Sequence, residues 1–253
     1  MRRLALWSAL WLGTGCVTSP IYTPGLQHVA PVKTRGDIIA SYSVKPHEGR
    51  ELSATALLTD RFFVSGEYGE SPPATTREVF VNTRYGFAAG WTRAGKDWQV
   101  QSAIGFGQGS TEESIFGGLA GIFTEGAPYM ARGRYTRMYV QRSATRLVWE
   151  ALELGGSARL SGVTVTRYRR FAGRATTDGG INRPYNRDTT FTGALSGLFV
   201  EPSLFFGLNV RGVRVTPQLT MALPLSPTAF SAVPADAGIS FSVSSDIFKA
   251  WTK

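Results

Sequence analysis

From residue 36 onward, apolar and polar residues alternate along most of the chain with a period of two. The clearest example runs from Glu78 to Thr92. Successive side chains of a strand point to opposite sides, so such a segment presents two different faces. Its first face carries Val79, Val81, Thr83, Tyr85, Phe87, Ala89 and Trp91. Its second face carries Glu78, Asn82, Arg84, Gly86, Ala88 and Gly90, with Phe80 as the one large apolar residue.

The same alternation predicts about ten strands and no helical domain, because no segment follows a helical period. The predicted strands lie at roughly residues 36–44, 50–58, 61–69, 78–93, 97–109, 130–143, 148–169, 195–209, 213–223 and 236–246. Pro202 and Pro217 fall inside two of them. A proline removes a ladder hydrogen bond, so each predicts a bulge or a break in the pairing.

The joints between the predicted strands alternate in length along the whole chain. The short ones are 59–60, 94–96, 144–147 and 210–212, and the long ones are 45–49, 70–77, 110–129, 170–194 and 224–235. Outer-membrane barrels have short turns at one rim and longer loops at the other. A soluble sandwich with Greek-key crossings has no reason to alternate in this way. The pattern therefore predicts an all-β fold, an antiparallel up-and-down β-barrel of about ten strands over residues 36–246.

Alternation by itself does not say which face meets water. In a soluble β-domain the apolar face turns inward, whereas in a membrane barrel it turns outward to lipid. The second faces are rich in glycine and small polar residues, as expected for a narrow lumen. They also carry charges of both signs, which must pair if they are enclosed. We therefore predict a charge network in the lumen, formed by Arg84, Glu153, Arg159, Glu201 and Arg214.

The first sixteen residues have the architecture of an export signal. Arg2 and Arg3 precede an apolar stretch, 4–12, and small residues then lead to Cys16, the only cysteine. This resembles the lipobox of bacterial lipoproteins, which implies that Cys16 is lipidated; Gly13 stands where that motif usually has leucine. The alternative is an ordinary signal peptide in which Cys16 is incidental.

The remaining divisions follow from composition. Residues 17–35 contain three prolines and predict an extended tether without a packed core, which would attach the lipid at the rim with the short turns. Residues 247–253 form a C-terminal tail. No apolar run after residue 16 has the 18–20 residues or so that a membrane helix needs.

The formal charge of +9 is spread singly over strands and loops, with no motif for nucleic acid. Attraction to anionic lipid headgroups is the interpretation we favour. Candidate catalytic residues are scarce: the two histidines, His28 and His47, lie in the tether and in the first long joint. No nucleophile elbow or metal-ligand spacing occurs, so we expect no catalysis, no metal and no cofactor. Loops 110–129 and 170–194 are candidate surfaces for a partner.

The last strand, from Asp236 to Val243, has a polar residue, then glycine, then spaced apolar residues. This resembles the terminal signal of outer-membrane barrels. With the export signal, the chain resembles small porin-like outer-membrane barrels with a lipoprotein-type signal peptide. The resemblance implies location in the outer membrane of a Gram-negative envelope, contact with its lipid, and assembly by the barrel-assembly machinery.

The function that follows is structural or one of small-solute permeation, since ten strands leave a lumen that side chains largely fill. The alternative is a lipid-anchored soluble β-domain that binds a ligand or an envelope partner. The oligomeric state stays open.

Overall fold

The computed structural model describes residues 20–22, 24–27, 35–45, 49–70, 79–115, 129–149, 151–172, 174–175, 181–182, 189–191, 195–210, 213–225, 231–232 and 235–245. Ten long strands form the wall of a barrel. In chain order they are β1 (Ile38–Lys45), β2 (Gly49–Leu57), β3 (Phe62–Glu70), β4 (Val79–Ala94), β5 (Trp98–Ile115), β6 (Tyr129–Trp149), β7 (Leu152–Val165), β8 (Leu195–Val210), β9 (Val213–Met221) and β10 (Ala235–Ser244). Within the described ranges, no helix is long and apolar enough to cross a membrane.

The barrel is closed and antiparallel throughout. Each strand pairs with the next along the chain, and β10 pairs with β1, from Ile239 opposite Val44 to Ser244 opposite Ile39. The all-β fold and the ten-stranded antiparallel barrel predicted from the alternation are thereby confirmed.

Short strands occur outside the wall or extend it. They are Pro20–Tyr22, Tyr168–Ala172, Arg174–Ala175, Ile181–Asn182, Thr189–Phe191, Leu223–Pro224 and Ser231–Ala232. Tyr168–Ala172 pairs with the first residues of β6, and Leu223–Pro224 pairs with β8 at Phe199 and Val200.

The two rims differ in the length of most of their connections. At one rim the strands are joined through residues 58–61, 95–97, 150–151 and 211–212; we call it the short-turn rim. Gly36 lies there, since its amide donates to the carbonyl of Leu57. The other rim is the long-loop rim, with the connections 46–48, 71–78, 116–128, 166–194 and 222–234. The first of these was predicted to be long, but it is no longer than 95–97.

Two predicted boundaries are wrong. Residues 144–147 were expected to be a turn, but they continue β6, which ends at Trp149 and leaves the turn to 150–151. Ala144 and Thr145 are small or polar, as turn residues often are. The backbone nevertheless pairs with β5 and β7 here, so the strand continues. Loop 110–129 also begins late, because β5 extends to Ile115.

The apolar faces point outward and the polar faces point inward. On the outer surface Leu204 is 71% exposed and Phe87 is 67% exposed, while on the inner surface Arg137 is 3% exposed and Glu201 is fully buried. This arrangement is the inverse of a protein folded around an apolar core. The period-two pattern of β4, β6 and β8 thus separates an apolar exterior from a polar lumen.

Both prolines interrupt one seam, between β8 and β9. The two strands pair from Ser203–Thr220 to Phe205–Gln218 and again from Leu208–Val215. The positions between these two blocks include Pro217, and the gap before Ser203 includes Pro202. The register does not change across either gap, so the prolines break the pairing, as predicted, without shifting it.

Candidate functional site

The lumen holds the buried charged groups of the barrel, and one ion pair lies near the middle of two strands. Arg159 on β7 is directly opposite Glu201 on β8, with 3.4 Å between Arg159 Nη1 and Glu201 Oε2. Both side chains are buried, and Arg159 Nε donates to Gln141 Oε1 at 3.0 Å. This ion pair therefore joins two neighbouring strands of the wall.

Aromatic packing ties a second arginine to the same group. The guanidinium carbons of Arg159 and Arg137 lie 4.6 and 4.7 Å from the centre of the Tyr139 ring. A cation near a ring face is attracted by its quadrupole. Tyr139 consequently stabilises both arginines.

Three further pairs reach across glycines in the wall. Arg84 on β4 pairs with Glu51 on β2, and Gly69 of β3 stands in the row between them. Arg137 on β6 pairs with Glu67 on β3 over two intervening strands. The positions in that row are Gly86 and Gly107.

The third crossing joins Arg214 to Glu153, 2.8 Å apart between Nη2 and Oε2. Glu153 lies opposite Gly207 on the strand between them. A Cβ on Gly207 would come within 2.6 Å of Arg214 Nε, too close for a real contact. A side chain at this position would therefore displace the Arg214 guanidinium from its path across the wall.

We expect Gly207→Val to destabilise the barrel by about 1–3 kcal/mol, because the added atoms displace Arg214 from Glu153. Gly162→Val is the matched control, since Gly162 is exposed and the nearest atom to its Cβ would be 4.0 Å away. Urea unfolding in lipid vesicles, followed by tryptophan fluorescence, measures both. Equal destabilisation by the two variants would show that the crossing has no special requirement for glycine.

Lys45 completes the charged groups near the long-loop rim. It forms an ion pair with Asp236 on β10, and its Nζ lies 3.5 Å from Glu51 Oε2. Through Glu51, the Lys45–Asp236 pair is joined to Arg84. Five cations and five anions are thus paired inside the described barrel: Lys45, Arg84, Arg137, Arg159 and Arg214 with Glu51, Glu67, Glu153, Glu201 and Asp236.

All five residues of the charge network predicted from the sequence face the lumen. The structure joins Arg159 to Glu201 and Arg214 to Glu153, whereas Arg84 pairs with Glu51 instead. Lys45, Glu51, Glu67 and Asp236 were missed. Their alternation with small residues was a signal for the lumen face; the pairing depends on register between distant strands.

Small polar side chains line a cavity in the lumen near Arg159. Its volume is about 30 Å³, and its lining includes Ser53, Thr55, Gln101 and Ser143. A cavity of this size holds about two water molecules.

The tether predicted over residues 17–35 differs from what the structure shows for its described part. Tyr22, Leu26 and Gln27 are fully buried inside the barrel, so this stretch is packed. Its prolines and small residues indicated extended geometry but carried no information about surroundings.

Some predicted sites lie outside the described residues: Cys16, His28, His47, most of loops 110–129 and 170–194, and the tail 247–253. Lipidation of Cys16 stays a prediction. Among the described residues, no three of His, Cys, Asp and Glu are grouped so as to hold a metal ion.

Comparison with known proteins gives little beyond the architecture. No protein-family model matches the chain, and no curated protein does. Among solved structures, the translocator domain of the autotransporter NalP from Neisseria meningitidis is similar, with a TM-score of 0.40 and 12% sequence identity. The alignment covers 87% of this chain and 90% of that one. At this level the similarity assigns neither family nor function.

Proposed function

We propose that this protein is an integral outer-membrane β-barrel with a structural role in the cell envelope, permeable at most to very small solutes and without catalytic activity. The observation that carries the proposal is the inversion of polarity: an apolar exterior around a lumen of paired charges. A water-soluble β-domain has no means of covering such an exterior, because contiguous exposed apolar surface of this extent favours association.

The ends of the exterior fit a membrane boundary. Trp91, Trp98 and Trp149 are exposed on β4, β5 and β6 near the short-turn rim. Tryptophan is enriched where hydrocarbon meets headgroups, since its ring is apolar and its N–H is polar. These three residues mark the membrane surface on the short-turn side.

The exposed arginines of β6 fit the same boundary. Arg134 and Arg142 both face outward, and the exposed Met138 and Val140 lie between them. Long basic side chains near a membrane surface extend their charged ends toward the headgroups. Arg134 lies on the long-loop side and Arg142 on the short-turn side, so each can reach the nearer surface.

The content of the lumen supports a structural role over a wide pore. The ion pairs cross the interior, and the cavity of about 30 Å³ beside Arg159 has room only for water. We place the protein in the outer membrane, with β10 as the segment that the barrel-assembly machinery recognises. Lipid is its immediate partner there.

Fractionation of cells that express Cys16→Ser tests the proposal against the lipid-anchored soluble alternative. We expect the variant to stay in the membrane fraction through alkaline extraction, because its strands and not its lipid hold it there. The folded barrel should also migrate differently on gels with and without heating. The unchanged protein is the control.

Release of Cys16→Ser into the soluble fraction, with no effect of heating on mobility, would contradict membrane embedding. That result would favour the anchored soluble domain.

A further inference from the structure

Residues 20–22 and 24–27, here called the lumen segment, run inside the barrel, and their first end lies at the long-loop rim. Pro20 is the partner of Ser231 and Tyr22 that of Ala232 in a parallel pairing. Ser231 and Ala232 belong to the connection between β9 and β10, which lies at the long-loop rim. The lumen segment therefore begins at that rim.

Tyr22 lies in the lumen, close to the long-loop rim. Its ring packs edge-on against Tyr135, 5.4 Å between centroids, and at 5.3 Å from Phe199. Its hydroxyl donates to Glu201 Oε1 at 2.5 Å. Tyr22 thus contacts one member of the Arg159–Glu201 ion pair from inside the lumen, a position that no flexible tether would hold.

Gln27 lies deeper. Its Nε2 donates to the Glu201 carbonyl at 2.5 Å, and Ser157 Oγ donates to its Oε1 at 2.6 Å. Ser157 is five residues from the start of β7 at the short-turn rim and eight from its end. Buried polar groups need such partners, and both polar atoms of this amide have one.

A glycine in the wall leaves space for the lumen segment. A Cβ on Gly238 of β10 would lie 2.9 Å from Leu26 Cδ1, so glycine leaves the space that Leu26 fills. Gly36 then appears at the short-turn rim, bonded to Leu57. The chain accordingly passes from the long-loop rim at Pro20, through the lumen at Gln27, to the short-turn rim at Gly36.

We propose that the chain threads its own barrel, so that its N-terminal end emerges at the long-loop face, outside the cell. The inference rests on the proposed function for its membrane setting. Four peptide units reach at most about 14 Å, so a lipid on Cys16 would enter the outer leaflet beside the long loops. The proposal thus puts the lipid at the long-loop rim, whereas the sequence predicted the short-turn rim.

Thiol labelling with a membrane-impermeant maleimide on intact and permeabilised cells tests the threading. The reporter is Ser19→Cys, next to the lumen segment, with Thr18→Cys as a second reporter. Thr166→Cys at the long-loop rim and Lys96→Cys at the short-turn rim are the controls, since both native side chains are exposed. The unchanged chain is the blank, so that any reaction of Cys16 is subtracted.

We expect Ser19→Cys and Thr166→Cys to be labelled on intact cells, and Lys96→Cys only after permeabilisation, at least tenfold above its level on intact cells. Labelling of both N-terminal reporters only after permeabilisation, with the two controls as expected, would overturn the threading and leave the proposed function intact. Labelling of Thr166→Cys and Lys96→Cys in the same cells, without difference between them, would instead contradict the membrane-spanning barrel.

Discussion

Arg159→Met is expected to lower the free energy of unfolding by about 3–5 kcal/mol, because it leaves the carboxylate of Glu201 buried without its cation. The loss should be large here, since Glu201 is fully buried between the wall and the lumen segment. The Tyr22 hydroxyl, which still donates to Glu201, supplies no charge. Urea unfolding of the refolded protein in lipid vesicles, followed by tryptophan fluorescence, measures the change.

A double variant tests whether the unpaired charge of Glu201 causes the loss of stability. Arg159→Met with Glu201→Gln should recover a large part of the loss, since the uncompensated charge is gone. Arg50→Met is the control, because Arg50 and Glu70 form an exposed pair, 2.7 Å apart, and exposed ion pairs contribute little to stability. A double variant as unstable as Arg159→Met alone would show that the charge of Glu201 is not the cause.

Leu204→Arg is expected to cost about 2–4 kcal/mol in a bilayer, because a charge near the membrane midplane must leave water or distort the lipid. Leu204 lies in the middle of β8 and is 71% exposed on the outer face. The same vesicle-based unfolding measures the effect, together with the yield of folded protein in the membrane.

Leu225→Arg is the matched control. Leu225 is 55% exposed but follows the strand at the long-loop rim, where a charge can reach water. Its replacement should cost less than about 1 kcal/mol. If the protein were a soluble domain, an exposed leucine would tolerate arginine at either position, so an unchanged Leu204→Arg protein would contradict membrane embedding.

The seam between β8 and β9 shows how far local rules reach. Pro202 and Pro217 predicted interrupted pairing because a proline has no N–H to donate, and the structure shows both interruptions. That prediction needs only the identity of a single residue. It did not reveal that both prolines lie on the same seam, which depends on the register of two strands.

For the charge network in the lumen, too, the sequence predicted one part and not the other. The charged residues predicted for the lumen could be assigned to the inner face because they alternate with apolar residues and share their face with glycine and small polar residues. They are Arg84, Glu153, Arg159, Glu201 and Arg214. Their partners could not be assigned. Arg137 meets Glu67 across two intervening strands that both present glycine at the same height.

The sequence by itself determined the ten strands, their alternating joints and the separation of an apolar face from a charged one. Each of these follows from a period of two and from turn length, which are properties of neighbouring residues. The tertiary structure alone decided which charges pair across glycines and that Tyr22 and Gln27 lie within the lumen. Closure of the barrel sets these contacts, since it brings together residues far apart in the chain, and an extended proline-containing segment has the same local pattern in water as inside a polar lumen.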